Sequence, residues 1–477
     1  MISQNTESLW NRICVKIADA KTVFAPVSRL TADFRSTVDM PPHRSLKRAT
    51  SIQKVSAISR RIHGWSWQAF PIGMGTGAVY VALEGLKEHY GSSLAVLVDV
   101  FFFLNLVLFI LNNTTLFLQF ILYPRQAKRL ITDPSKGIFV PLMVLSFATI
   151  IVGIIDWAVP AGRVGPNFIY ALFWLYVGLS VAVCFPMLLI WFNKPHDLAK
   201  FTPAWAFLIF PMMLVGVVAY NVLSVIPLDE PRALGILLTA YAFQGLGFFM
   251  TLFYICIYIL RIITTGFLDG PQASGAFVAC GPPGFTALAL IHLGEDAREI
   301  LTHRQLVSPL AGEIWYASSV LAALLLFGLA VFFFIFGALP YWSKLHKSLD
   351  EILGCWALTF PNVGWILAVS KIGDTFDIQS FYIWNLVMTI VICATWVVLF
   401  VLTAIAFWEG KIFNSTAEDV IRDMYSLNEK QQVRDIERRL SVVERSVHRI
   451  ATKDENRPLP PVDSEVSANS KQTMASV

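Results

Sequence analysis

The sequence predicts an all-α membrane protein of ten transmembrane helices, arranged as five helical hairpins around a pseudo-fivefold central pore. Three observations predict it. Across 477 residues, 56% are hydrophobic and 15% charged, with a mean hydropathy of +0.60, whereas soluble domains carry about 25% charged residues. Ten apolar runs reach the roughly 17 residues that a helix needs to cross a bilayer core. Five prolines, Pro71, Pro141, Pro211, Pro283 and Pro361, stand near the middle of alternate runs, at intervals of 70, 70, 72 and 78 residues. Fixed-period self-similarity means one unit reused, and apolar segments interrupted by Pro at corresponding positions point to a transport site.

The chain opens with a basic tail, residues 1–66, holding eleven Lys or Arg against four Asp or Glu. The first apolar run starts too late for a cleaved signal peptide, which lies within the first 15 to 30 residues or so, so insertion falls to the first span. The string Lys47-Arg48-Ala49-Thr50-Ser51 offers charge to anionic lipid or Thr50 and Ser51 to a kinase. A plain solvated tail is the simpler reading.

The pore domain follows over residues 67–407. Its odd runs, 67–86, 138–159, 203–226, 274–293 and 352–369, are 18 to 24 residues long, and its even runs, 94–122, 168–192, 233–260, 314–339 and 381–407, are 25 to 29. A helix lengthens by about 1.5 Å per residue and longer spans must tilt, so the even set suits a lipid-facing sleeve and the odd set an inner layer. Every odd run contains its repeat Pro, with small residues close by: Gly73, Gly75, Gly77 and Ala78, then Gly281 and Gly284, then Gly364. Among the even runs, the fourth carries a comparable proline, Pro186. Each repeat Pro frees the carbonyl four residues earlier, namely those of Trp67, Gly137, Phe207, Ala279 and Ala357. Such backbone is tolerated where protein or a cavity surrounds it. Ordinary kinks in a bundle without a pore are the alternative for any one Pro. In the second run, Asn105, Asn112, Asn113 and Gln119 suit hydrogen bonds between helices.

Lys and Arg near the span ends set orientation. Loops on the side of the leading tail carry nine (Arg125, Lys128, Arg129, Lys136, Lys194, Lys200, Arg261, Lys344 and Lys347) and the opposite loops six. Both termini are therefore expected in the cytoplasm. The closing segment, 408–477, turns polar. Val433, Ile436, Leu440, Val443, Val447 and Ile450 recur at three-four spacing, which reads as a short coiled coil over 433–450 or as an amphipathic surface helix. Residues 455–477 have the Pro-, Ser- and Asn-rich composition of disorder.

A transport path must replace water around its solute, so ionisable groups at depth come first. None lies within five residues of a repeat Pro; the nearest are Glu84, Asp156, His292 and Lys371, at span ends. What surrounds the prolines is neutral: Trp67, Phe70, Gly75, Thr76, Thr149, Phe210, Phe285, Thr286, Thr359, Phe360 and Asn362. Hydroxyl donors and positive ring edges hold an anion weakly, while the freed carbonyls argue mildly for a cation. His292 and Lys371 lie toward one mouth, where they would attract dianions or snorkel to the interface. Four of the six cysteines fall inside apolar runs, and no disulfide, zinc or other metal spacing is visible. No cofactor and no nucleic-acid partner is expected, and an intramembrane enzyme would need nucleophiles or metal ligands at depth that the runs lack. A receptor or scaffold would not need the repeat.

The strings GMGTGAVYVAL after Pro71, GPPGFTALALI around Pro283 and WALTFPNVGW around Pro361 resemble the tellurite-resistance and dicarboxylate transporter family, which includes plant slow anion channels and fungal malic acid permeases. The resemblance covers about residues 65–410, and Asn362 after the Pro is closer to the malate permeases than to the sulfite pumps. It implies a homotrimer in the plasma membrane, each ten-helix protomer having its own pore, with a Phe in the ninth helix occluding the path. The matching position is Phe360. It further implies malate, succinate or a related small organic anion as substrate, with contacts from Gly281 and Thr286 in the seventh helix. Sulfite or another inorganic anion is the rival.

Overall fold

The computed structural model describes residues 55–91, 94–344 and 348–424. The tail up to residue 54, with Thr50 and Ser51, the heptad-spaced stretch 433–450 and the segment 455–477 lie outside the described residues.

Helix α1 (Ala57–Gly64) precedes the first apolar run, capped by the Ser56 hydroxyl, which accepts from the Ser59 amide. That run opens as a 3₁₀ turn, Trp67–Ala69, and continues as α2 (Phe70–Tyr90). Helix α3 (Ala95–Leu122) returns across, and α4 (Pro124–Thr132) links it to the third run, which again passes from a 3₁₀ turn, Gly137–Phe139, into α5 (Leu142–Ala158). Helix α6 (Pro166–Phe192) follows. The fifth run is divided into a 3₁₀ stretch, Pro203–Leu208, then α7 (Phe210–Met213) and α8 (Val215–Leu223). After α9 (Pro231–Thr265), the 3₁₀ stretch Gly270–Cys280 leads into α10 (Gly281–Arg304), paired with α11 (Ala311–Lys344). The ninth run is α12 (Ile352–Cys355), a 3₁₀ turn at Trp356–Leu358, and α13 (Phe360–Phe376); α14 (Gln379–Trp408) is the tenth.

Among the described residues, nine helical segments are long and apolar enough to cross a membrane. The sequence reading expects ten, and the fifth run falls short because of its division: its α-helical part, over Phe210–Leu223, is too short to cross.

The repeat prolines mark a change of helix type. Each stands at the start of an α-helical half, with 3₁₀ backbone before it. A first-turn position suits Pro, because the amide it lacks has no partner there in any helix. The carbonyls of Trp67 and Gly137, counted as freed, accept 3₁₀ bonds from the amides of Phe70 and Val140.

Burial alternates along the chain. In the first, third, seventh and ninth segments 78 to 89% of the apolar core is buried within the protein, against 28 to 39% in the second, fourth, sixth, eighth and tenth. The fifth is buried almost throughout, from Leu208 to Ala219. Each odd segment packs on the following even one, and the odd segments touch in a closed cycle: α2 on α5, α5 on α7 and α8, α8 on α10, α10 on α13, and α13 on α2. Just before α13, the 3₁₀ turn brings the Trp356 ring and the Thr359 hydroxyl against Gly75 of α2, where a Cβ would have no room.

Hydrogen bonds follow the same order. Asn105 on α3 donates to the Thr149 hydroxyl on α5 (2.9 Å), Tyr176 on α6 donates to the Pro211 carbonyl (3.0 Å), and Gln244 on α9 donates to the Thr286 hydroxyl on α10 (2.7 Å). Trp396 on α14 donates to the Thr76 hydroxyl on α2 (3.0 Å), joining the last segment to the first. Asn112 and Gln119 also bond away from their own helix, to the carbonyls of Ala69, Ile62, His63 and Trp65, whereas Asn113 bonds back to Phe109.

The solvated tail expected up to residue 66 ends earlier. Helix α1 is held by the stretch after α14: Trp65 stacks on Phe413 at 4.4 Å, and the Arg60 side chain and carbonyl both bond Ser415. His63, 2% exposed, bonds the Ser415 hydroxyl (2.8 Å) and the Asp423 carboxylate (3.1 Å), which also receives Arg129 from α4 (3.1 Å). Polar composition reads as solvated, but here the polar groups satisfy one another across the chain.

Candidate functional site

A cavity of about 550 Å³ opens at the end where the odd segments begin. All five contribute to its wall: Gln68, Pro71 and Met74; Ile138, Phe139 and Leu142; Thr202, Ala204, Trp205 and Phe207; Gln272, Ser274 and Val278; then Glu351, Trp356, Ala357, Phe360 and Pro361. It is therefore enclosed by the 3₁₀ halves and reaches inward to where the α-helical halves start. Phe360 lies at that limit, 5% exposed, its ring 5.0 Å from that of Phe285 at 30°. Such offset stacking suits the ring quadrupoles.

Two close approaches hold this aromatic pair. A Cβ on Gly364 would lie 2.5 Å from the Phe285 nitrogen, and one on Gly284 2.7 Å from the Trp365 nitrogen. Small residues let α10 and α13 cross backbone to backbone, as in membrane helix pairs generally. Just before the pair, the Thr359 hydroxyl donates to the Trp356 carbonyl (2.7 Å), and Asn362 donates to the Leu358 carbonyl (2.8 Å) while accepting from the Trp365 indole (3.0 Å). These bonds fix the break in backbone on either side of Phe360. Trp356 is pinned in turn by its indole, which donates to Thr403 (3.0 Å).

Of the residues singled out from sequence, Pro71, Phe360 and Pro361 line the cavity. Thr76, Thr149 and Thr286 are buried, with their hydroxyls bonded to neighbouring even helices. Thr359 and Asn362 support the break, and Phe210 packs edge-on against Phe207 at 5.4 Å. Gly75 and Gly281 are contact points, the latter against Pro361. Pro141, Pro211 and Pro283 are at the breaks of their own segments.

At the opposite end His292 stacks on Tyr220 (4.2 Å) and Lys371 pairs with Glu295 of α10 (2.9 Å), joining the seventh and ninth segments. Tyr80 donates to Asp156 (2.6 Å) and does the same for the first and third. Charge near the cavity mouth is mixed: His196, Asp197 and Lys200 come from the loop before the fifth segment, and Asp350 and Glu351 from the turn before the ninth. His196 lies on the Trp191 ring at 3.9 Å, and its Nε2 bonds the Trp191 carbonyl. Beside the mouth, burial raises the Asp133 pKa, but the Ser135 hydroxyl, the amides of Ser135 and Lys136 and the Lys136 charge outweigh it and hold this carboxyl below the ordinary range.

Phe285 as the stacking partner, Trp356 as the prop and Gln68 in the wall were not assigned roles from sequence. Gln68 had one signal: an amide inside an apolar run, three residues before a repeat Pro. Phe285 and Trp356 are aromatic residues among many, so residue type could not set them apart.

The sequence profile of a voltage-dependent anion channel family matches residues 64–404. The malic acid transport protein of Schizosaccharomyces pombe is 28% identical over 357 residues, covering 73% of this chain and 80% of that protein. The sulfite efflux pump SSU1 of Trichophyton rubrum is 27% identical over 358 residues, covering 73% and 91%. A putative malic acid transport protein of S. pombe is 25% identical over 347 residues, covering 72% and 80%.

Proposed function

Because the chain belongs to the voltage-dependent anion channel family, we propose that it passes small organic anions of the malate and succinate class across a membrane, through a path that Phe360 closes. The observation that carries this reading is a cavity walled by all five odd segments and ending on that ring. Helix direction supports the sign of the charge. Four of the helices around the inner limit, α2, α5, α10 and α13, begin there, and a helix start carries a partial positive charge, although the leading amides of Phe70, Val140 and Gly281 are bonded to their own 3₁₀ turns. Broken helices in transporters aim such ends at anionic groups. The carbonyls of Trp67 and Gly137, which would otherwise favour a cation, are bonded within their own 3₁₀ turns.

The closed cycle of odd-segment contacts and the alternation of burial support counting the divided fifth run as a tenth span, in a pseudo-fivefold arrangement with the path along its axis. The family resemblance adds a homotrimer in the plasma membrane, and the placement of Lys and Arg adds cytoplasmic termini. A small dicarboxylate fits a cavity of this volume with room for water. Sulfite or another inorganic anion is the second reading, favoured by relatives of nearly equal identity that carry the sulfite name.

The test is current at clamped voltage in reconstituted membranes, with malate and then sulfite as the permeant anion. Malate current is expected, and it should rise at least severalfold in Phe360→Ala. Sulfite current without malate current would select the second reading, and an unchanged current in the variant would remove Phe360 as the closure.

A further inference from the structure

The cavity wall is not uniform with depth. Within four residues of any repeat Pro, the lining consists of Pro71, Met74, Ile138, Phe139, Leu142, Phe207, Ala357, Phe360, Pro361 and one polar side chain, Gln68. The other polar groups of the wall, Ser135, His196, Asp197, Lys200, Thr202, Gln272, Ser274, Asp350 and Glu351, stand six or more residues from their prolines, toward the mouth. Gln68 is half-buried, and none of the described residues bonds its amide. Its backbone is well fixed: the 3₁₀ turn Trp67–Ala69 holds it, Gln119 bonds the Trp65 carbonyl at 2.8 Å and Asn112 the Ala69 carbonyl at 3.2 Å.

We propose that Gln68 is the recognition residue for the permeating oxyanion, the last polar contact before the Phe360–Phe285 pair. This rests on the transport reading above and adds the residue and chemistry that select the solute. An amide presents two N–H donors on a neutral group. It can replace part of the water around a carboxylate or a sulfite without the deep trap that a charged residue would create, and conduction needs binding weak enough to allow exit. A neutral donor amid apolar wall also disfavours cations, because its carbonyl oxygen is one acceptor and not a ring of them.

The full chain is reconstituted, and the half-saturating concentration, maximal current and permeability relative to chloride are measured for malate and for sulfite. Gln68→Leu should raise the half-saturating concentration at least fivefold, with maximal current changed less than twofold. Gln68→Glu is nearly isosteric and should cut current more than tenfold near pH 7 by repulsion. Gln68→Asn, which keeps the amide, should stay within about threefold of the unaltered protein. Loss confined to malate identifies a carboxylate as the selected group, and loss for both anions identifies oxyanions generally. Unchanged half-saturation and permeability ratios in Gln68→Leu and Gln68→Glu would overturn the proposal; if the Leu variant fails to assemble, the isosteric Glu variant decides. Absence of anion current in the unaltered protein would overturn the transport reading and this inference with it.

Discussion

Gly364 has no side chain, and that is what lets the Phe285 backbone and ring lie against α13. A Cβ there would come within 2.5 Å of the Phe285 nitrogen and 2.7 Å of its ring carbon, so one helix must move. Overpacking of this kind costs about 1–3 kcal/mol. Gly364→Ala is therefore expected to lower the unfolding midpoint of the purified protein by several degrees and to change anion current, because Phe285 carries the face on which Phe360 stacks. A variant with both quantities unaltered would mean that α10 and α13 separate at no cost. The same crossing explains why the site was only partly legible. Phe360 could be reached through its motif, whereas its partner stands 75 positions earlier in a different motif, and no local pattern announces a stack between distant rings.

At the scale of elements, the alternation of burial was readable from the apolar runs, but their lengths were not: the seventh segment, read as 20 residues, runs to 35, as long as any even one, and the ninth, read as 18, runs to 28. The odd segments with the repeat prolines are buried and the even ones face outward, as expected. The 3₁₀ halves were not readable, since 3₁₀ and α backbone draw on the same residues and differ in hydrogen-bond register. Nor was the division of the fifth run, where Ile209 and Leu214 stand at the breaks without Gly or any polar signal. The position of proline at a helix start has a measurable consequence. Replacing Pro141 with Ala should cost less than about 1 kcal/mol, because no helical hydrogen bond is restored or lost at the first turn. Thermal unfolding in detergent would show it, and a loss above about 3 kcal/mol would mean that the ring itself holds α5 in place.

For the whole molecule, the two ends of the described chain are joined. His63 and Arg129 share the Asp423 carboxylate, which is 1% exposed, at a point where α1, α4 and the stretch after α14 meet. Asp423→Ala would leave a buried imidazole nitrogen without its acceptor, and an orphaned buried polar group costs about 1–3 kcal/mol. Earlier unfolding and faster proteolysis between residues 409 and 424 are expected; an unchanged digestion pattern would show that the Trp65–Phe413 stack and the Ser415 bonds hold the join without this carboxylate.

The bond from Trp396 to Thr76 spans 320 positions of sequence. The opening span is also the least apolar of the nine, with a hydropathy of 1.2 against as much as 2.8 elsewhere. During synthesis it must enter the lipid and wait with one flank bare until α14 emerges from the ribosome. Biogenesis of this fold thus depends on sheltering α2 while the 320 positions between these two partners are made.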